Sequence, residues 1–188
     1  MSHSAHAALS AYTTPIIRAI KTIIRSHVIV SINPVPDVPG GLDAGLRLAA
    51  GPYVEVKTDR SRGYLWIGCR QSVQVIPGNH AGDPVAVSIS SVTYQLLAGD
   101  GRTRFDEIVA YHWTPNDPTA KRSWPHLHIG SAFIDPAARR EPLALHKTHF
   151  LTGSITAPGF VRMAIEEFGV QPVVADWQER LVEGGISS

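Results

Sequence analysis

Histidine is the residue type in excess: there are nine in 188 residues, and five of them (His112, His126, His128, His146 and His149) fall within 38 positions. Imidazole titrates near neutrality, so it can act as acid, base or neutral metal ligand. The sharpest spacing is Pro125-His126-Leu127-His128-Ile129. On a β-strand, residues two apart share a face, so His126 and His128 project together while Leu127 and Ile129 turn to the core. In the preceding segment, Ile108, Ala110 and His112 share one face and Val109 and Tyr111 the other. If the two strands are neighbours, His112 reaches His126 or His128. The second element is His146-Lys147-Thr148-His149. Histidines three apart share a face only in a helix or turn. In an extended chain they diverge, and His149, nearest the following helix start, is the one expected to meet the pair.

Two chemistries use such a set. Three histidines with an open fourth position form a catalytic zinc pattern. On that reading His126, His128 and His146 ligate zinc or another divalent transition metal, and Asp135 and Glu141 are the candidate carboxylates behind them. The other chemistry needs no cofactor. His126 and His128 divide the roles of base and acid in phosphodiester cleavage, His149 or His112 assists, and Lys147 steadies the charge developing on phosphate oxygens. Lys121, Arg122, Arg139 and Arg140 add cations around the motif and fit this second reading better.

An H-x-H strand is less specific than a full ligand signature such as H-E-x-x-H, so a purely structural histidine cluster competes with both. His3, His6, His27 and His80 read as ordinary surface or core residues. Trp113 and Trp124, on either side of the loop before the pair, read as packing, and Cys69 as a small buried hydrophobe. A single cysteine excludes an intramolecular disulfide and a cysteine-based zinc cage, and fits a reducing cytoplasm.

The balance of 17 Lys+Arg against 16 Asp+Glu leaves a formal charge of +1, so no global field favours a nucleic-acid coat or a membrane surface. Hydrophobic residues at 44% and charged residues at 18% exclude a wholly disordered chain. No apolar run approaches the ~20 residues that span a bilayer, and residues 1–10 lack a charged head followed by an apolar core. A cytoplasmic protein with no membrane partner is the expectation.

Positioning these side chains requires a sheet. Residues 1–13 read as frayed, and Pro15 as the start of a helix with isoleucines at 16, 17, 20, 23 and 24 on one stripe. Val28 to Ile32 can be a strand. The Pro/Gly-rich stretch from Asn33 to Pro52 reads as a linker or long loop, with one or two helical turns over Leu42–Ala50. This predicts an N-terminal arm and linker over residues 1–52 and a single domain over 53–188. Alternating runs over 53–57, 64–68, 72–76, 85–97, 104–113 and 125–131, with a hairpin signal at Gly99-Asp100-Gly101, predict antiparallel strands. Ser154 or Thr156 can cap a helix carrying Phe160, Val161, Ala164, Ile165 and Phe168, stopped by Gly169, and residues 176–182 suggest a shorter one. Strands followed by helices predict an α+β fold, a bent antiparallel meander covered by C-terminal helices with an N-terminal helical arm.

The strand Tyr94-Gln95-Leu96-Leu97, the Gly99-Asp100-Gly101 hairpin, the return strand Phe105 to His112, the Pro125-His126-Leu127-His128-Ile129 strand, the H-x-x-H-F segment and the closing helix together resemble the TumE family of toxin–antitoxin toxins. The similarity covers roughly residues 85–170. It implies a bacterial toxin-like role acting on RNA, with a cognate antitoxin or operon partner and with His126 and His128 at the matching positions. The longer loop from Thr114 to Trp124 and the insertion around Ile134 to Pro142 depart from the family pattern. The competing reading is a non-enzymatic binding or assembly module of a bacterial defence or regulatory operon, its histidines a polar cluster or a metal clip.

Overall fold

The computed structural model describes residues 3–59, 64–78, 84–99, 105–115, 123–130 and 149–182. The fold is α+β, and the described residues form an eight-stranded sheet and three helices. Helix α1 (His3–Ile20) is followed by strands β1 (Val28–Pro34), β2 (Leu42–Leu48), β3 (Val54–Val56), β4 (Tyr64–Ile76), β5 (Ala86–Gly99), β6 (Phe105–Trp113), β7 (His126–Ile129) and β8 (His149–Leu151). Helices α2 (Ala157–Glu166) and α3 (Trp177–Arg180) come last. The sheet order is β1-β2-β4-β5-β6-β7-β8, and every pairing is antiparallel. Strand β4 is long enough to hold two partners on one side: β2 along Arg70–Val75 and β3 along Leu65–Ile67.

The N-terminal region departs from the expected arm and linker. Residues 3–20 are helical from the start, and Pro15 lies inside α1 rather than at its first turn. Ala5, Leu9, Thr13, Ile16 and Ile20 recur at three- and four-residue steps and are all buried. The stretch read as a linker contains β2, not helical turns. Leu42, Ala44, Leu46 and Leu48 alternate inward with exposed Asp43 and Arg47, a period-2 pattern. The connection from β1 turns through Asp37 and Gly40, both at positive φ. Residues 28–48 therefore belong to the same sheet as the histidine strands, and α1 to the same core.

That core joins α1, the sheet and α2. Ile20, Leu46, Ile67, Tyr94, Leu96, Tyr111, Phe160 and Val161 are among its members. Burying such side chains contributes about 1.5–3 kcal/mol each, before conformational entropy is counted. A polar link crosses it. Tyr94 donates its hydroxyl to Gln71 Oε1 at 3.0 Å, and Gln71 Nε2 donates to the Tyr12 hydroxyl of α1. Cys69 is buried, as its apolar neighbours suggested, and burial pushes its thiol up to about 12.

The C-terminal helix starts where the cap chemistry places it. Thr156 Oγ1 accepts from the Gly159 amide at 3.1 Å, Pro158 fills the first turn, and Gly169 at φ 66 ends the segment. The two separate strands expected over 64–68 and 72–76 are one continuous strand, β4, with a register shift against β5 at Ser72/Val73. Of the hairpin signal at Gly99-Asp100-Gly101, only Gly99 lies within the described residues.

Candidate functional site

Cross-strand pairing aligns the histidines. His112 of β6 is opposite His126 of β7, and Ala110 is opposite His128. On the far side of β7, His128 is opposite His149 of β8. Directly opposed residues project to the same face of a sheet, so four imidazoles from three strands share one surface. Ring centroids are 5.1 Å apart for His126 and His128, 4.2 Å for His128 and His149, and 4.9 Å for His126 and His149. One ring nitrogen from each of these three lies within 4.8 Å of the other two. His112 adjoins them, 4.9 Å from His128 by ring centroid.

Hydrogen bonding fixes the tautomer of one ring. His126 is 7% exposed, and its Nδ1 is 2.9 Å from the Trp124 carbonyl oxygen. A carbonyl only accepts, so Nδ1 carries the proton and Nε2 presents a lone pair to the cluster. This is the arrangement a metal-binding histidine uses to hold its tautomer. His112 Nδ1 is 3.4 Å from the Thr93 hydroxyl on β5. Burial, reinforced by the nearby His126 and His149, lowers the His112 pKa and favours its neutral form.

The carboxylate of the site is Glu107, which the strand pattern hides. Strict alternation along β6 puts Glu107 with Val109, on the face away from His112. The pairing with β5 slips between Leu96 and Leu97, leaving Ile108 as an extra residue. The bulge restores Glu107 to the histidine face. There Glu107 Oε1 is 3.9 Å from His128 Nδ1, and Oε2 accepts from Gln95 Nε2 at 3.3 Å. Burial raises the Glu107 pKa, with the Gln95 hydrogen bond acting against it. The main chain after β7 packs tightly against this bulge. The Gly130 amide donates to the Ile108 carbonyl at 2.8 Å, and a Cβ at residue 130 would overlap the Glu107 carbonyl.

Of the residues singled out from spacing, His112, His126, His128 and His149 come together. His149 meets the pair from an extended strand. His146, the third ligand of the zinc reading, lies outside the described residues, as do Lys147, Lys121, Arg122, Arg139, Arg140, Asp135 and Glu141. Among the described residues the three-nitrogen set is His126, His128 and His149. Trp113 packs against the core, whereas Trp124 contributes its carbonyl and packs edge-to-face on His126, with ring centroids 5.1 Å apart. The signal that finds Glu107 is the acidic pair Asp106-Glu107 near the start of a mostly apolar strand, although which of the two faces the histidines cannot be read without the bulge.

The donor set suits a borderline divalent ion such as zinc, which takes neutral imidazole nitrogens at about 2.0–2.1 Å. Nitrogens around a tetrahedral ion at that radius stand roughly 3.3 Å apart, so the widest pair here would draw in by about 1.5 Å on binding. No family model, no curated protein and no solved structure matches the chain.

Proposed function

We propose that the protein is a metal-dependent phosphodiesterase, with His126, His128 and His149 holding a divalent transition ion, zinc by donor chemistry, on the open face of the sheet. The observation that carries this reading is the convergence of three ring nitrogens within 4.8 Å, from three positions on two strands. Such an ion lowers the pKa of a bound water toward about 7 and so supplies a nucleophile at neutral pH. His126 enters with its tautomer set by the Trp124 carbonyl, and Glu107 lies behind His128. His112, neutral and beside the set, is the available base. The bent meander with C-terminal helices on its other face, the TumE-like strand order, a cytoplasmic setting, an RNA substrate and an antitoxin or operon partner all belong to this same proposal. No helix among the described residues is long and apolar enough to cross a membrane.

A second reading is favoured by the pairing of His126 and His128 themselves. One presents a lone pair at Nε2 and the other has its Nδ1 3.9 Å from the Glu107 carboxylate. That is a base and an acid on one strand, without a metal. Metal analysis of the purified chain, followed by RNA cleavage before and after chelation, separates the two. One equivalent of zinc, with cleavage lost on chelation and restored by zinc, is expected. Cleavage that survives chelation assigns the chemistry to the histidine pair. No cleavage under either condition removes both.

A further inference from the structure

The histidine row continues across the sheet into two arginines. Arg47 of β2 is opposite Arg70 of β4, Arg70 is opposite Thr93 of β5, Thr93 is opposite His112, and His112 is opposite His126. Opposed residues share a face, so both guanidinium groups project from the surface that carries the imidazoles. Arg47, Arg70 and Thr93 line one cleft of about 330 Å³, together with Gly51 and Pro52 of the β2–β3 connection. Like charges directly opposed on a sheet repel. Among the described residues no carboxylate lies within ion-pair distance of either arginine to offset this.

We infer that Arg47 and Arg70 form an anion subsite that holds a phosphate of the substrate strand, away from the bond being cleaved. The inference rests on the phosphodiesterase reading for the nature of the strand. Two guanidinium forks suit a phosphate, whose charged non-bridging oxygens accept from both and whose geometry the planar Arg donors match. The position also argues for an extended ligand. Strands are spaced about 4.8 Å apart, so Arg70 is roughly 10 Å from His112 and roughly 14 Å from His126 across the sheet. A single phosphate cannot occupy both places, but a strand bearing several can. Thr93 touches both regions: it lines the cleft and meets the His112 ring.

The test is the salt dependence of binding of a short single-stranded oligoribonucleotide to the full chain, read by fluorescence anisotropy. The variants are Arg47→Gln, Arg70→Gln and the double substitution. Each phosphate contact removed from a single strand should lower the slope of log K against log salt by about 0.7, so the double variant should lose about 1.4. Both side chains are exposed and mutually repulsive, so the thermal midpoint of each variant should not fall. Zinc content is measured in parallel and reports the histidine site alone. An unchanged slope in the double variant, or no oligonucleotide binding by the parent chain, overturns the subsite whatever the zinc content shows. A reduced slope in a chain that neither holds zinc nor cleaves RNA keeps the subsite and removes the phosphodiesterase reading.

Discussion

His128 Nδ1 stands 3.9 Å from Glu107 Oε1, across the junction of β7 and β6. The contact exists because one extra residue, Ile108, reverses the facing of everything before it on β6. The partner hydrogen bond from Gln95 leaves the carboxylate only one oxygen to turn toward His128. A carboxylate behind a ligating imidazole raises its basicity and holds its ring orientation. Glu107→Gln keeps the shape and removes the charge. Zinc affinity is expected to fall about tenfold, toward the lower end for such partners, because the contact is long. Competition titration against a chromophoric chelator measures it, and an unchanged affinity would assign Glu107 a packing role.

Gly130 controls the same bulge from the main chain. Its Cα faces the Glu107 carbonyl so closely that an added Cβ must displace backbone, not a flexible side-chain tip. Gly130→Ala should therefore cost about 1–3 kcal/mol of stability by overpacking, seen as a lower urea midpoint. It should also weaken zinc binding, because displacing the bulge moves Glu107. A variant as stable as the parent would mean that β7 shifts freely against β6.

Much of this site was legible in the sequence, for a simple reason. Period-2 facing is a property of any extended chain, so the side-by-side placement of His126 and His128 follows from their spacing alone. Register is not local, which is why the approach of His112 depended on which strands became neighbours. A bulge is invisible to periodicity, and Glu107 was missed for that reason. In the N-terminal region, glycine and proline density outweighed the alternation of Leu42, Ala44, Leu46 and Leu48, although those residues bury as a strand should. Small residues such as Ala5 in the first turns of α1 gave too weak a stripe to announce a helix, and Pro15 mimicked its beginning.

The placement of α1 in the core has a direct consequence. Leu9 is buried with Leu42, Ala44, Val73 and Val75 beneath the first half of the helix. A dispensable arm would tolerate Leu9→Ala. Here the substitution should cost about 2–5 kcal/mol, the range for truncating a buried leucine. Denaturant unfolding should also remain a single transition, since the helix and sheet share a core. A separate early transition for the N-terminal region would contradict that.

Tyr12 gives the fold a limit at high pH. Burial raises its pKa from the ordinary value of 10.0 to about 12, against a lowering by the Gln71 hydrogen bond. Burial also raises Tyr94, at the other end of the same link. The unfolded chain loses these protons near pH 10 and the folded chain only above it. The stability they contribute is complete below about pH 10 and is lost as pH rises toward 12. Tyr12→Phe should shift the alkaline unfolding midpoint upward, followed by tyrosinate absorbance and circular dichroism together. Tyrosinate absorbance rising to its full value near pH 10 without unfolding would show that the two hydroxyls are not sequestered.

The four imidazoles are not equivalent, and zinc should tell them apart. His126, His128 and His149 bring their nitrogens within 4.8 Å, whereas His112 has its Nδ1 turned to Thr93. Replacing any of the three by alanine removes a coordinating atom and should weaken zinc by more than about 100-fold, beyond the usual effect of a supporting residue. On the metal reading His112→Ala should leave zinc binding intact and reduce cleavage instead, since His112 is not one of the three converging residues. Zinc protects the folded state only where it binds, so added metal should raise the thermal midpoint of the parent and of His112→Ala, and of none of the other three. Zinc lost equally in all four variants would make His112 a fourth ligand and close the position that hydrolysis needs. Zinc lost in none of them would end the metal reading, whatever the spacing of the rings.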